Sequence, residues 1–171
     1  MRTLRLPNRA ISDRNGAKAQ SRSKRVAIRN QLDRLCRQFP ACNVVAYADL
    51  TTGMVLCSSV RLKLPQEQLD ELCRSAADLL TGQLALLFAR HLAPVDGTCV
   101  HTAVLIDQHS VELFLRTPAQ PTEALCCHCS SQIDLADFAQ AAHVALVAIS
   151  VEPTNTDTVT AALTASCRSA K

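Results

Sequence analysis

The sequence has 171 residues, of which 48% are hydrophobic and 19% charged, and its formal net charge is +3. This length and apolar content suit one ordinary domain and exclude a wholly disordered chain. Four glycines exclude a collagen-like fibre, and the lack of Trp beside a single Tyr argues against an aromatic platform for nucleic-acid bases. No uninterrupted apolar run reaches the length of a membrane-spanning helix, so we expect no membrane span.

Charge is unevenly distributed along the chain. Residues 1–30 hold nine of the 18 basic residues and one acid, which gives them +8, whereas the remainder carries −5. We expect 1–25 to be a disordered basic arm, 26–152 to be the folded domain, and 153–171 to be a disordered Thr-rich tail. The arm has three interpretations: a solvated leader, an attachment to anionic lipid or nucleic acid, or an organelle-targeting leader.

Apolar spacing predicts the first elements. A helix is expected over 24–39, because its apolar residues recur at intervals of four, three and four: Ile28, Leu32, Leu35 and Phe39. Two β-prone runs, 43–50 and 54–60, flank Thr51-Thr52-Gly53 and predict a hairpin. Gly53 is expected to supply the positive φ that such a short loop needs.

The segment 66–91 is predicted to be the longest helix, opened by Pro65. It carries two apolar stripes. The first comprises Leu69, Cys73, Ala76, Leu80, Leu84 and Leu87, and the second Leu72, Ser75, Leu79, Gly82, Leu86 and Ala89. Together they cover a wider arc than a helix needs when it lies on one sheet. The surplus is expected to pack against the same helix of a second copy; the alternative is burial between sheet and loops within one chain.

The second half of the domain is predicted to hold a hairpin, a further strand and a last helix. The hairpin pairs 100–107 with 111–117, and the fifth strand covers 123–129. Ser131 and Asp134 form a candidate capping pair for a helix that reaches Ser150. Its apolar run 144–149 also suits a strand, and this alternative stays open at the sequence level.

Three cysteines in the fifth strand are the strongest candidates for chemistry. Cys126 and Cys129 form a Cys-x-x-Cys, but residues three apart in a strand point to opposite faces and cannot chelate one ion. Cys127 and Cys129 share a face without a matching pair elsewhere. We therefore expect packed thiols, with metal binding or redox activity as the alternatives.

Motifs of catalysis are not found in the sequence. The glycines are isolated, so no phosphate-binding loop is formed, and Gly-x-Ser-x-Gly and His-Glu-x-x-His do not occur. We expect a non-enzyme without metal or cofactor. Because 1–9 lacks the apolar region of a secretory signal, we expect a cytoplasmic protein with reduced thiols.

The order helix, strand, strand, long helix, three strands, helix, with 44–59 as its first hairpin, resembles the roadblock/dynein-light-chain family over residues 26–150. In that family an aspartate and a glycine commonly mark this turn, and Asp49 and Gly53 occupy comparable places. The resemblance implies an α+β fold: a five-stranded antiparallel sheet with the long helix on one face and two shorter helices on the other (roadblock/profilin-like αββαβββα).

The resemblance also implies a non-catalytic homodimer that binds or regulates a small Ras-like GTPase, or scaffolds a complex. The long helices would pack together while the edge strand 100–107 continues the sheet across the twofold axis. The residues expected at this interface are Leu72, Ser75, Leu79, Gly82, Leu86, Ala89, Thr102 and Val104. Two alternatives remain: a tether that attaches through the basic arm to anionic lipid or nucleic acid, and a small thiol or metal protein.

Overall fold

The structure, a computed structural model, describes residues 12–61, 64–91, 100–117 and 120–150, and for 12–21 it describes the backbone only. Within these ranges the elements are, in chain order, α1 (Ser12–Gln38), β1 (Cys42–Asp49), β2 (Met54–Val60), α2 (Gln66–Thr81), α3 (Gln83–His91), β3 (Thr102–Ile106), β4 (Ser110–Thr117), β5 (Gln120–Ser130) and α4 (Leu135–Ser150). The predicted order is confirmed, except that the predicted long helix is divided into α2 and α3.

The five strands form one antiparallel sheet in the order β2-β1-β5-β4-β3. β5 lies at the centre, and its residues are largely buried on both faces. β2 and β3 form the two edges of the sheet in the described part of the chain. The α+β class and the five-stranded antiparallel sheet predicted from the sequence are therefore confirmed.

Alternation along the strands divides the core into two layers. On one face α1 and α4 pack on the sheet through residues such as Leu32, Phe138 and Leu113. On the other face α2 packs through residues such as Cys73 and Phe114. The sequence analysis placed the long helix after the first hairpin on one face of the sheet and the two shorter helices on the other. This placement is confirmed.

The first hairpin turns as predicted. Gly53 has φ +67° and is the residue with positive φ in the described part of the chain. Asp49 stabilises the turn, because its Oδ1 accepts a hydrogen bond from the Thr51 amide at 2.8 Å. The same hydrogen bond is the main cause that lowers the pKa of Asp49. The aspartate and the glycine on which the family resemblance rests thus have local structural roles.

Helix α1 begins at Ser12, twelve residues before its predicted start. The prediction used apolar periodicity, which begins only at Ile28, where the helix reaches the sheet. Residues 12–25 of the predicted basic arm therefore belong to a helix. Residues 1–11 and the predicted tail lie outside the described residues, and attachment of the arm to anionic lipid or nucleic acid stays a prediction.

Helix α4 is capped by Asp134 rather than by the predicted pair with Ser131. Asp134 Oδ1 accepts hydrogen bonds from the amides of Ala136 and Asp137, both at 3.1 Å, which is the geometry of an N-cap residue. The segment 144–149 is helical, so the alternative of a strand is wrong. Its residues Ala145, Leu146 and Ile149 are buried at helical spacing, and this favours the helix.

Candidate self-association surface

Helix α2 packs one side on the sheet. Five of its residues are buried there: Leu69, Leu72, Cys73, Ala76 and Leu80. Four of these belong to the first predicted stripe, so within α2 this stripe faces the sheet. Leu72 was predicted at an interface with a second copy, but it is buried within one chain and belongs to the core. The reason is its position beside Leu69 and Cys73 on the helix, which turns it towards the sheet.

The outer side of α2 is more polar than the two stripes suggested. Its exposed residues include Glu67, Asp70, Glu71, Arg74 and Asp78. Ser75 and Leu79 of the second stripe are only half-buried, and Leu79 packs against the core beneath α2. Little apolar surface of α2 itself is therefore left for a second copy.

Gly82 interrupts the predicted long helix. Its backbone is extended, with φ −72° and ψ −176°, and its amide donates a hydrogen bond to Asp78 O at 3.0 Å. A Cβ at this position would collide with that carbonyl oxygen, so the observed break requires glycine. The second helix then starts with a hydrogen bond from the Leu86 amide to Gly82 O at 3.2 Å. Gly82 was predicted to allow a second helix to approach closely. In the structure it forms the break between α2 and α3.

Four of the nine residues of helix α3 are large, apolar and exposed. Leu86 is 59% exposed, and the others are close to half exposed: Leu84, Leu87 and Phe88. Ala85 is buried. Burying a side chain of this kind yields about 1.5–3 kcal/mol, so their joint exposure is costly for a lone chain. The surplus apolar surface predicted for 66–91 therefore lies on α3.

Strand β3 adds an open edge with apolar side chains. Arg116 N donates to His101 O at 2.9 Å, and Asp107 N donates to Ser110 O at 3.0 Å. These bonds flank the pairs Thr102–Leu115 and Ile106–Val111. In such non-hydrogen-bonded pairs the N–H and C=O groups point away from the partner strand. The backbone groups of Thr102, Val104 and Ile106 therefore face outward, ready to pair with another strand.

The predicted interface residues are thus placed as follows. Leu86, Thr102 and Val104 are exposed, Ser75, Leu79, Gly82 and Ala89 are half-buried, and Leu72 is buried. Sequence reasoning missed five exposed apolar residues, namely Leu84, Leu87, Phe88, Leu105 and Ile106. Leu84 and Leu87 were placed in the first stripe and left out of the interface, because one uninterrupted helix was assumed. The one sequence feature that hinted at a break in the helix is Gly82, a lone glycine inside the helical pattern.

Gly82→Ala is expected to join α2 and α3 into one continuous helix. Alanine cannot occupy the observed break, and it favours helical backbone by about 1 kcal/mol over glycine. The mean residue ellipticity at 222 nm should become more negative, and the distance between spin labels at Asp70 and Arg90 should change. Gly53→Ala is the contrasting variant, because it strains a turn and should not add helix. An unchanged label distance in Gly82→Ala would contradict the assigned role of Gly82.

The cysteines of β5 lie as the strand geometry predicted. Cys126 faces α2, whereas Cys127 and Cys129 face α1 and α4. Burial raises the pKa of Cys127 well above its usual value, and the hydrogen bond with Cys73, with burial, raises the pKa of Cys126. Thiols held neutral in this way are poor nucleophiles. Among the described residues no three His, Cys, Asp or Glu side chains are grouped to hold a metal ion.

The described helices include one stretch, Gln66–His91, that is long and apolar enough to cross a membrane by length and composition. The core helix of a soluble protein meets the same criterion, and five residues of α2 pack on the sheet. The expectation of no membrane span rested on uninterrupted apolar runs alone. The high mean hydropathy of this stretch comes in part from the apolar side chains that α3 leaves exposed.

The comparisons with known proteins define the class of fold. The structure is similar to a Roadblock/LC7 domain from Streptomyces avermitilis, with a TM-score of 0.59, 14% identity, and coverage of 71% of this chain and 92% of that one. It is also similar to the gliding protein MglB from Thermus thermophilus, with a TM-score of 0.62, 17% identity, and coverage of 75% and 89%. A further MglB structure, described as having a tetrameric arrangement, gives a TM-score of 0.63 at 17% identity, with coverage of 75% and 88%.

These likenesses show that the chain has the roadblock fold, as the sequence resemblance implied. No protein-family model matches the sequence. No curated protein matches it either.

Proposed function

We propose that this chain is a non-catalytic, cytoplasmic interaction module that forms a homodimer and in that form binds or regulates a small Ras-like GTPase. The observation that carries the proposal is the combination of an apolar α3 with an open β3 edge. Both features stay unsatisfied in a single chain, and a second copy is the occupant that we propose for both. The fold supports the same proposal, since the family that the sequence resembles binds such GTPases.

The dimer proposed here uses β3 of both copies. Val104 is the middle residue of β3, and its N–H and C=O face outward. Antiparallel pairing of two β3 strands about a twofold axis near Val104 continues the sheet from one copy into the other. Because a twofold contact uses the same patch on both copies, a self-complementary apolar edge suits it. In the proposed dimer the exposed leucines and Phe88 of α3 pack against the partner.

The test of the proposed function is nucleotide-dependent binding. Ras-like GTPases of the source organism, loaded with GDP or with a non-hydrolysable GTP analogue, are titrated with the full chain by biolayer interferometry. We expect at least one of them to bind with an affinity that differs about tenfold or more between the two states. A parallel assay of GTP hydrolysis separates an activator from a scaffold.

The control for that test is the chain alone, which should not hydrolyse GTP. Equal binding in both nucleotide states, or binding of none of the GTPases, would contradict the regulatory function. The dimer is tested separately, so a failure to bind GTPases would not be confused with a failure to dimerise.

A further inference from the structure

The two edges of the sheet differ in chemistry. β3 carries no basic residue, whereas β2 lies beside a row of arginines on α1. Two hydrogen bonds join α1 to β2 and to the residue that directly follows it: Cys36 Sγ donates to Ser59 O at 3.6 Å, and Arg61 Nη1 donates to Cys36 O at 3.4 Å. The side of α1 that carries Cys36 is therefore the side that borders β2.

Three exposed arginines of α1 continue that side. Arg29 precedes Cys36 by seven residues, which is close to two turns, and Arg25 and Arg22 follow at helical spacing. Arg25 lines a cleft of about 350 Å³ together with Val55, Leu56 and Cys57 of β2, and Tyr47 of β1 and Glu123 of β5 form its inner side. Arg25 therefore lies over the face of the sheet next to β2. Arg61, at the end of β2, is also exposed. The edge is thus bordered by four positive charges.

The backbone of β2 is oriented for pairing with another strand. Arg61 N donates to Asn43 O at 2.9 Å, which makes Val44–Val60 a non-hydrogen-bonded pair. The N–H and C=O groups of Val60, and of Ser58 two residues earlier, therefore point away from β1. Val60 and Ser58 lie opposite Val44 and Ala46, on the side of the sheet that faces α2.

We propose that β2 is a docking edge for an extended, acidic segment of a partner protein, which adds a strand to the sheet. Its acidic side chains would alternate with apolar ones, because successive side chains of an added strand face opposite sides of the sheet. The acidic set pairs with Arg22, Arg25 and Arg29, and the apolar set lies next to Val60. Arginine suits this role, because its guanidinium group forms charge-assisted hydrogen bonds with carboxylates.

Charge disfavours a second copy as the occupant of this edge. A twofold contact through β2 would bring the arginines of both copies together, and like charges at close range repel. Asp33 on α1 and Glu123 of β5, which lines the cleft beside Arg25, are the acidic residues found near these arginines in the described part of the chain, and they are outnumbered by Arg22, Arg25, Arg29 and Arg61. The proposal is independent of the dimer, because β2 and β3 lie at opposite edges of the sheet.

The proposal is tested with a fluorescein-labelled octapeptide of alternating glutamate and valine and the full chain, by fluorescence anisotropy. We expect binding with a Kd of about 1–100 µM. The double variant Arg25→Glu, Arg29→Glu should weaken it at least about tenfold and should gain binding of the matching lysine–valine peptide. The control reverses the same number of charges elsewhere on α1: Arg34→Glu, Arg37→Glu should leave binding unchanged. Arg34 borders α4, and Arg37 folds back on its own helix, where its Nε donates to Asp33 O at 3.2 Å.

A second peptide tests strand addition itself. Methylating alternate backbone nitrogens of the glutamate–valine peptide, on the edge that meets β2, removes its donors without changing its charge, and should weaken binding at least about tenfold. Equal binding of the methylated peptide would overturn the proposal, as would no binding of the unmodified peptide up to about 1 mM. A third measurement uses vesicles of phosphatidylserine in place of the peptide. If Arg25→Glu, Arg29→Glu abolishes vesicle binding while no peptide binds, the arginines serve a lipid surface and the proposal is wrong.

Discussion

Leu86→Asp is expected to convert the proposed dimer into a monomer, raising the dimer dissociation constant at least about a hundredfold. Leu86 is 59% exposed in the single chain, so the substitution should not damage the core. In the dimer it would bury a carboxylate on each side of a twofold contact, and neither would have a positive partner. Sedimentation velocity over a concentration series measures the change, and thermal unfolding verifies that the monomer is folded.

The matched control for this prediction is Val144→Asp. Val144 is 60% exposed, almost the same fraction as Leu86, but it lies on α4 on the opposite face of the sheet. Its replacement should leave the dimer dissociation constant within about twofold. Similar weakening by both variants would show that general surface charge, and not α3, controls association. Leu79→Asp is a poorer test, because Leu79 also packs against the core.

Phe138→Ala is expected to lower the free energy of unfolding by about 3–5 kcal/mol, which is the cost typical of removing a buried aromatic side chain. Phe138 is fully buried on α4, and its ring packs edge-on against Phe39 with centroids 5.2 Å apart and an interplanar angle of 82°. The contact ties the end of α1 to the start of α4 above the sheet. Urea denaturation of the monomeric Leu86→Asp background measures the loss without a contribution from dissociation.

Phe88→Ala on the same background provides the comparison. Phe88 is about half exposed on α3, so removing its ring should change the free energy of unfolding of the monomer by less than about 1 kcal/mol. In the otherwise unmodified chain, the same substitution should weaken the dimer. If Phe138→Ala and Phe88→Ala cost the monomer equal free energy, the division into a buried α4 contact and an exposed α3 surface is wrong.

The order of elements could be predicted because each element has a strong local pattern. The turn at Gly53, the alternation in β4 and the spacing of Ile28, Leu32 and Leu35 all act within a few residues. The start of α1 could not be predicted in this way, because residues 12–25 form helix without an apolar side. Likewise, Asp134 and Ser131 both suit a cap by residue type, and only the hydrogen bonds to Ala136 and Asp137 distinguish them.

The surplus of apolar surface on 66–91 could be predicted from the sequence, but its location could not. The composition of 66–91 indicates more apolar surface than one sheet covers, and this is correct. Its location depends on Gly82, whose extended backbone separates α3 from α2. A lone glycine is tolerated within helices at a cost of about 1 kcal/mol, so its presence in the pattern does not by itself predict a break. For that reason Leu72 was assigned to the interface while Leu84 and Leu87 were left out of it.

Sedimentation equilibrium of the full chain at micromolar concentration tests the central claim most directly. The chain has a mass of 18.5 kDa, and we expect a species of twice that mass, about 37 kDa. A single species of 18.5 kDa across the whole concentration range would contradict it.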